Sequence, residues 1–419
     1  MANVLRFNRR WILLLGATAT FLIICILYRL NRKAAPPAPP LPIRDTPSYW
    51  PTPLEQAVCQ PKIYVYKAPE TFQVSNKVQE EKCHESNYNS EIILHNQLTD
   101  PSSPIYKHYV TENPEEATFF FIPFFGACYL YNCWYETGWK WDERCNVDTN
   151  YVDPMMDMII NDLPYWNQTN GRNHIMIHPM DQTFTYYQNN ARFQPAIFLK
   201  TVGDKRGKWM HRHRYGRDIV IPSSTRMIHH LRVDPLTYLN DDGQPKSGKR
   251  DIFVLFQGCC PDVKPEDEYS NGIRSLMFQY FSDYPGYEIG EVIADQEYIQ
   301  KLSRAKYGLS PMGWTLDTTR IWEFMAFGVV PVVIADGIIE PFEYDVDWDS
   351  FIVRVRRDQV HRLDEILRSI DDEAYEYKRQ KLWDYGRRVG LEKDAWHFIV
   401  RELCRMENIK APVNLGLGY

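Results

Sequence analysis

Residues 310–333, "SPMGWTLDTTRIWEFMAFGVVPVV", run from a short apolar segment through a Gly-centred turn into an amphipathic helix and then a Val-rich strand. Strand, turn, helix, strand in that order is the unit of a parallel α/β sheet. Working outward, the pattern predicts strands at 252–256, 287–292, 307–310, 329–334 and 351–355. Helices are predicted at 272–282, 296–304, 319–327, about 358–369 and 373–388. Upstream, shorter apolar runs at 63–66, 118–123, 174–178 and 218–221 predict a second set of strands. The sequence contains no internal repeat, so two α/β domains in series, with a cleft between them, is the economical architecture.

In the opening stretch the strand ends at Pro311, and Gly313 is expected to supply freedom in φ. Thr318 or Thr319 is expected to cap the following helix. Open α/β sheets take ligands at the carboxyl ends of their strands, where a helix N-terminus suits an anion such as phosphate. Arg320 opposes the helix dipole in the first turn, so a bound anion explains it better than helix stability does. Glu323, on the same face, could accept two hydroxyl protons from a ribose. The competing reading is a solvated Arg–Glu pair worth about 0.2–0.5 kcal/mol.

The amino-terminal end sets the expected compartment. Trp11 to Tyr28 is uncharged and apolar, and at about 1.5 Å per residue it just spans a hydrocarbon core of roughly 30 Å. Arginines flank it on both sides. The apolar run is long for a cleaved signal peptide and no small-x-small site closes it, which favours a retained signal-anchor. Prolines in residues 33–53 then form an extended stem. The expected organisation is a cytoplasmic tail at 1–10, a transmembrane signal-anchor at 11–30 and a stem at 31–58. An amino-terminal domain at 59–248, a carboxy-terminal domain at 249–405 and a tail at 406–419 follow. Of nine cysteines, Cys25 falls in the apolar segment, and the even remainder suggests disulfides with the pairing left open. Asn167-Gln168-Thr169 is a glycosylation sequon, consistent with a lumenal body. A net charge of −6 without a basic run argues against nucleic acid as a partner. No paired CxxC spacing indicates a zinc site.

The motifs "RDIFVLFQGCC" (250–260), "YSNGIRSLM" (269–277), the block from Leu302 to Glu343 and "VDWDSFIVRV" (346–355) resemble the exostosin family of glycosyltransferases. "KIYVYKAPETF", "EEATFFFIPFF", "GRNHIMIHPMD" and "YGRDIVIPSS" resemble its amino-terminal half, so the likeness covers roughly residues 62–355. It implies a GT-B fold, two Rossmann-like domains facing a cleft, in a type II Golgi membrane protein on a single anchor. It makes the amino-terminal domain at 59–248 the acceptor side and the carboxy-terminal domain at 249–405 the nucleotide-sugar-binding side. It also implies inverting transfer of a sugar from a nucleotide-sugar donor, by expectation UDP-linked, to a glycan or polysaccharide acceptor. Arg274 and Arg320 would then meet the diphosphate, Gly313 would cradle it, and Glu323 would hold the ribose. Met312 departs from the pattern, because many members carry a basic residue there.

Inversion requires the site to absorb the leaving charge and remove one proton. His178 and Asp181 are the expected base pair, although the commoner family pattern has the two residues adjacent. A structural histidine and a turn aspartate are the competing reading. The carboxylates Asp345, Asp347 and Asp349 imitate a metal-binding Asp-x-Asp, but they fall after the Pro341-Phe342 turn, at a place that fits the exostosin pattern. No metal or other cofactor is therefore expected. Two alternatives stay open: a catalytically silent glycan-binding or partner subunit of a homo- or hetero-oligomer, and a retaining transferase or phosphorylase of the same fold.

Overall fold

The protein is described by a computed structural model covering residues 59–67, 83, 87–140, 142–180, 192–206, 213–259 and 269–408. The expected anchor, the stem and Asp181 lie outside these residues. Among the described residues no helix is long and apolar enough to cross a membrane.

The chain builds two five-stranded sheets in which every pairing is parallel. The first runs in the order β1 (Ile63–Val65), β2 (Phe119–Phe121), β3 (His174–His178), β4 (Ile197–Lys200), β5 (Ile219–Val220). The second comprises β6 (Ile252–Gln257), β7 (Tyr287–Gly290), β8 (Ala305–Pro311), β9 (Val330–Ile334) and β10 (Val353–Arg354), in the order β10-β9-β8-β6-β7. The inner strands β2, β3, β4 and β9 are buried at every residue, as central strands covered by helices on both faces must be. Edge strand β7 alternates instead, with Tyr287 and Ile289 inward.

Most predicted elements are present with shifted ends. Elements that the sequence pattern did not place include β4, the first-half helices Ser90–Thr99, Gly126–Glu136 and Asp153–Asp162, and the helix Ala395–Asn408, which ends the described chain. That last helix returns to the first sheet, where Trp396 meets Phe121 with ring centroids 6.5 Å apart. Cys404 is disulfide-bonded to Cys59 across 345 positions of sequence. Cys83–Cys128 and Cys133–Cys145 are also bonded.

The two sheets belong to one compact unit. A strap after β4 crosses to the second half, with Ile339 N–H donating to Gly203 O at 2.8 Å and Lys205 N–H to Gly337 O at 2.9 Å. Beside this strap Glu340 is buried, with Arg354 Nη1 at 3.4 Å. Burial lifts its carboxyl to about 7, against the pull of Arg354. A carboxyl raised in the folded state favours folding fully below the ordinary glutamate range, and that stability is lost as pH rises towards 7. Glu340→Gln should therefore match wild type near pH 4 and gain about 3 kcal/mol by pH 8, at about 1.4 kcal/mol per unit of pKa shift. Melting curves across that range test this, and a difference independent of pH would overturn it.

Candidate active site

The second sheet gathers the expected donor residues at its carboxyl edge. β6 ends at Gln257, whose carbonyl accepts from Arg320 Nη2 at 3.0 Å. Gly258 follows, and a Cβ there would come within 2.8 Å of the same Nη2 atom, so only glycine lets the guanidinium lie against the backbone. Ser270, Asn271 and Gly272 all take positive φ (51°, 48° and 69°) immediately before the helix Ile273–Phe281. Two non-glycine residues held there form a strained bend of the kind found at functional sites. The bend delivers Arg274, the second residue of the helix, whose N–H donates to Ser270 Oγ at 3.3 Å.

Arg274 is 6% exposed, yet its Nε finds no hydrogen-bond partner among the described residues. Its Nη1 lies 3.6 Å from Cys259 Sγ, and its guanidinium carbon is 4.9 Å from the centre of the Tyr269 ring. The Phe256 ring lies between the two arginines, 5.7 Å from the Arg274 guanidinium and 4.7 Å from that of Arg320. Burial, with Arg320 nearby, pulls Arg274 down to about 10. A buried cation beside a second cation is costly unless an anion completes the site.

Three local expectations are corrected. Gly313 is absent from the residues with positive φ. It lies against the cation instead, since a Cβ there would make ordinary contact with Arg274 Nη2 at 3.6 Å and with the Tyr269 ring at 3.9 Å. Neither threonine caps the next helix. Thr318 Oγ1 bonds Ser310 Oγ, and Thr319, at the cap position, makes no side-chain cap bond. That helix, Arg320–Ala326, has only 7 residues, and its first donors are already used by Ile321 N–H to Thr318 O and Trp322 N–H to Thr319 O. Positive charge at this edge therefore comes from the arginine side chains more than from a helix end.

The third correction concerns Glu323, which is 9% exposed and so is not half of a solvated pair. Tyr298 donates its hydroxyl to Glu323 Oε2 at 2.9 Å, and Thr225 and the backbone of Met227 also hydrogen-bond the carboxylate. Burial raises its pKa, against the effect of Arg320. These three donors leave about one of the roughly four lone-pair positions of a carboxylate, room for one further hydroxyl rather than two.

His178 stands where the sequence placed it, at the end of β3, but its ring is 1% exposed and enclosed by Phe124 (5.2 Å), Phe198 (4.7 Å) and Phe193 (6.5 Å). Burial lowers its pKa to about 3, which keeps the imidazole neutral. In this position it is a core residue and does not join the arginine cluster. Beside β3, Lys200 pairs with Asp218 at 2.9 Å, and Arg214 Nε donates to the same carboxylate at 2.8 Å.

Asp345 accepts from Arg401 and Arg405, and Asp349 accepts from Arg354 Nε at 2.8 Å, so both carboxylates are committed to arginines. Among the described residues no group of three or more His, Cys, Asp or Glu is placed to hold a metal ion. Met312 is partly buried against the apolar core of the second sheet. Asn167 is exposed, and its Nδ2 donates to Ile160 O at 2.8 Å. Tyr269, Gln257, Gly258 and Tyr298 complete the site without having been singled out from sequence. Only the "QG" after a strand and the "YSNG" before a helix hinted at close backbone approach.

Two parallel sheets in one unit, with clustered guanidiniums at the carboxyl edge of the second, are the arrangement with which α/β enzymes hold phosphates. The Exostosin GT47 domain model matches residues 59–370, and the chain belongs to that family of glycosyltransferases. It is 29% identical over 359 residues to "Probable glucuronosyltransferase GUT1" of Oryza sativa subsp. japonica, covering 82% of this chain and 81% of the relative. It is 26% identical over 363 residues to "Probable beta-1,4-xylosyltransferase IRX10" of Arabidopsis thaliana, with 82% of each covered. Among solved structures, an alpha-glucosyltransferase in complex with UDP and DNA aligns with 84% of this chain and 100% of its own, at 10% identity and a TM-score of 0.39.

Proposed function

We propose that this glycosyltransferase moves a sugar from a UDP-sugar to a glycan acceptor with inversion, using a GT-B arrangement of its two sheets. We place its body in the Golgi lumen on the amino-terminal anchor. One observation carries the donor site: Arg274 is buried, with a free Nε among the described residues, beside Arg320. A diphosphate supplies the missing anion. In the reaction an acceptor oxygen forms a bond to the anomeric carbon as the bond from that carbon to the diphosphate oxygen breaks. The electron pair departs with the nucleotide, and the two guanidiniums stabilise the charge that develops on it. Asp181, past the carboxyl end of β3, is the residue we assign to proton removal in place of the enclosed His178.

The relatives' names direct the donor screen first to UDP-glucuronic acid and UDP-xylose, then to other UDP- and GDP-sugars. Nucleotide release that depends on added oligosaccharide supports the proposal. Binding of UDP without release from any donor would identify a silent subunit instead. Activity should survive EDTA with at most a modest loss, because arginines in a desolvated site supply the charge stabilisation. Complete loss restored by manganese would overturn that account.

A further inference from the structure

The carboxyl ends of β1 and β2, in the first sheet, open into a cavity of about 590 Å³ that the donor site does not use. The helix Ser90–Thr99 lines it with His95, Asn96 and Thr99, three residues on one helical face. Tyr106, Glu112 and Phe125 line it from the adjoining segments. The volume falls within the range of sites for small molecules, and ligands of parallel sheets bind beyond the carboxyl ends of the strands.

The chemistry of the lining selects the ligand. Rings at His95, Tyr106 and Phe125 suit the C–H face of a pyranose. Asn96, Thr99 and Glu112 present hydrogen-bonding groups of both senses, as a ring edge of hydroxyls requires. Among the described residues the lining has the exposed Lys67 and one carboxylate, Glu112, whose Oε1 accepts from Tyr106 at 2.7 Å. Burial holds the His95 imidazole below its ordinary range, so it adds no charge near neutrality. Among the described lining residues there is no arginine, in contrast to the Arg274 and Arg320 edge, so they offer a diphosphate no fork.

We propose that this cavity is a glycan subsite, one that holds neutral pyranose units of an oligosaccharide away from the donor. The assignment rests on the glycosyltransferase reading for its biological use, but binding can be measured without turnover. The probes are xylotetraose and cellotetraose, with UDP as the control ligand, observed by saturation-transfer NMR and calorimetry on wild type, Asn96→Ala and Thr99→Trp. Thr99 is exposed at the end of its helix, so tryptophan there fills the cavity without entering the core.

Wild type should bind at least one tetrasaccharide. Both variants, shown to be folded by their melting curves, should lose that affinity by about tenfold or more while keeping UDP affinity. Unchanged tetrasaccharide binding in folded Thr99→Trp, or no binding of either tetrasaccharide by wild type, would overturn the subsite. Tetrasaccharide binding without sugar transfer from any donor would support the subsite and count only against the catalytic reading.

Discussion

Replacing Arg274 with alanine should weaken UDP binding by about 1.5–3 kcal/mol, roughly tenfold or more, and should lower kcat beyond what binding explains. The reason is placement. Its guanidinium is buried against Tyr269 and Phe256, and Arg320 raises the cost of its charge. Each interaction gained with a diphosphate grows as the leaving group takes on charge, so the transition state loses more than the ground state. Arg274→Lys keeps the charge without the fork and should recover only part of the affinity. Arg274→Met fills the volume without charge, and in the absence of nucleotide it should melt no lower than wild type, since an uncompensated buried cation is removed. Calorimetric titration of UDP, single-turnover kinetics and melting curves test the set. A folded Arg274→Ala protein with wild-type UDP affinity and kcat would remove the arginine from the donor site.

The part of the site that was legible in the sequence is the part built from a change of period. In residues 310–333 alternation gives way to a helical repeat and then to "VVPVV", and both β9 and the short helix before it formed there. What the side chains do within those elements was less legible. All five residues of β3 are buried, so no alternation showed that His178 would point into the core. Glu323 was expected to hold a ribose, with a surface pair to Arg320 three residues away as the competing reading, and neither foresaw its buried partners. Tyr298, its actual donor, comes from the helix Asp295–Arg304, and Thr225 comes from the first half of the chain.

Long-range closure was invisible for a related reason. "AWHFIVRELC" has the spacing of an amphipathic helix, with Trp396, Ile399, Val400, Leu403 and Cys404 buried, and could have been found. Its partner could not. Nothing local distinguishes Cys59 as the mate of Cys404, and the loop between them spans the whole body. β4 was missed because "IFLK" is four residues long and wholly buried, a length at which helix and strand patterns coincide.

Glu323→Gln separates two roles that coexist in the structure. The carboxylate is a buttress, holding Tyr298 from one helix and Thr225 and Met227 from the first half. As a buttress alone, its loss leaves buried donors poorly paired and should cost about 1–3 kcal/mol of stability, with UDP affinity unchanged. Tyr298→Phe, which removes one of those donors, should then behave similarly. If the remaining lone pair also takes a ribose hydroxyl, Glu323→Gln should weaken UDP by about 1.5–3 kcal/mol, because a charged acceptor becomes a neutral one. Tyr298→Phe should leave that affinity nearly intact. We expect this second pattern, since burial beside Arg320 puts the carboxylate within the electrostatic reach of the donor edge. The deciding comparison is UDP against uridine lacking its 2′- and 3′-hydroxyls, presented as the diphosphate. Wild type should favour UDP and Glu323→Gln should bind the two alike, and an equal preference in both proteins would leave the carboxylate a structural group.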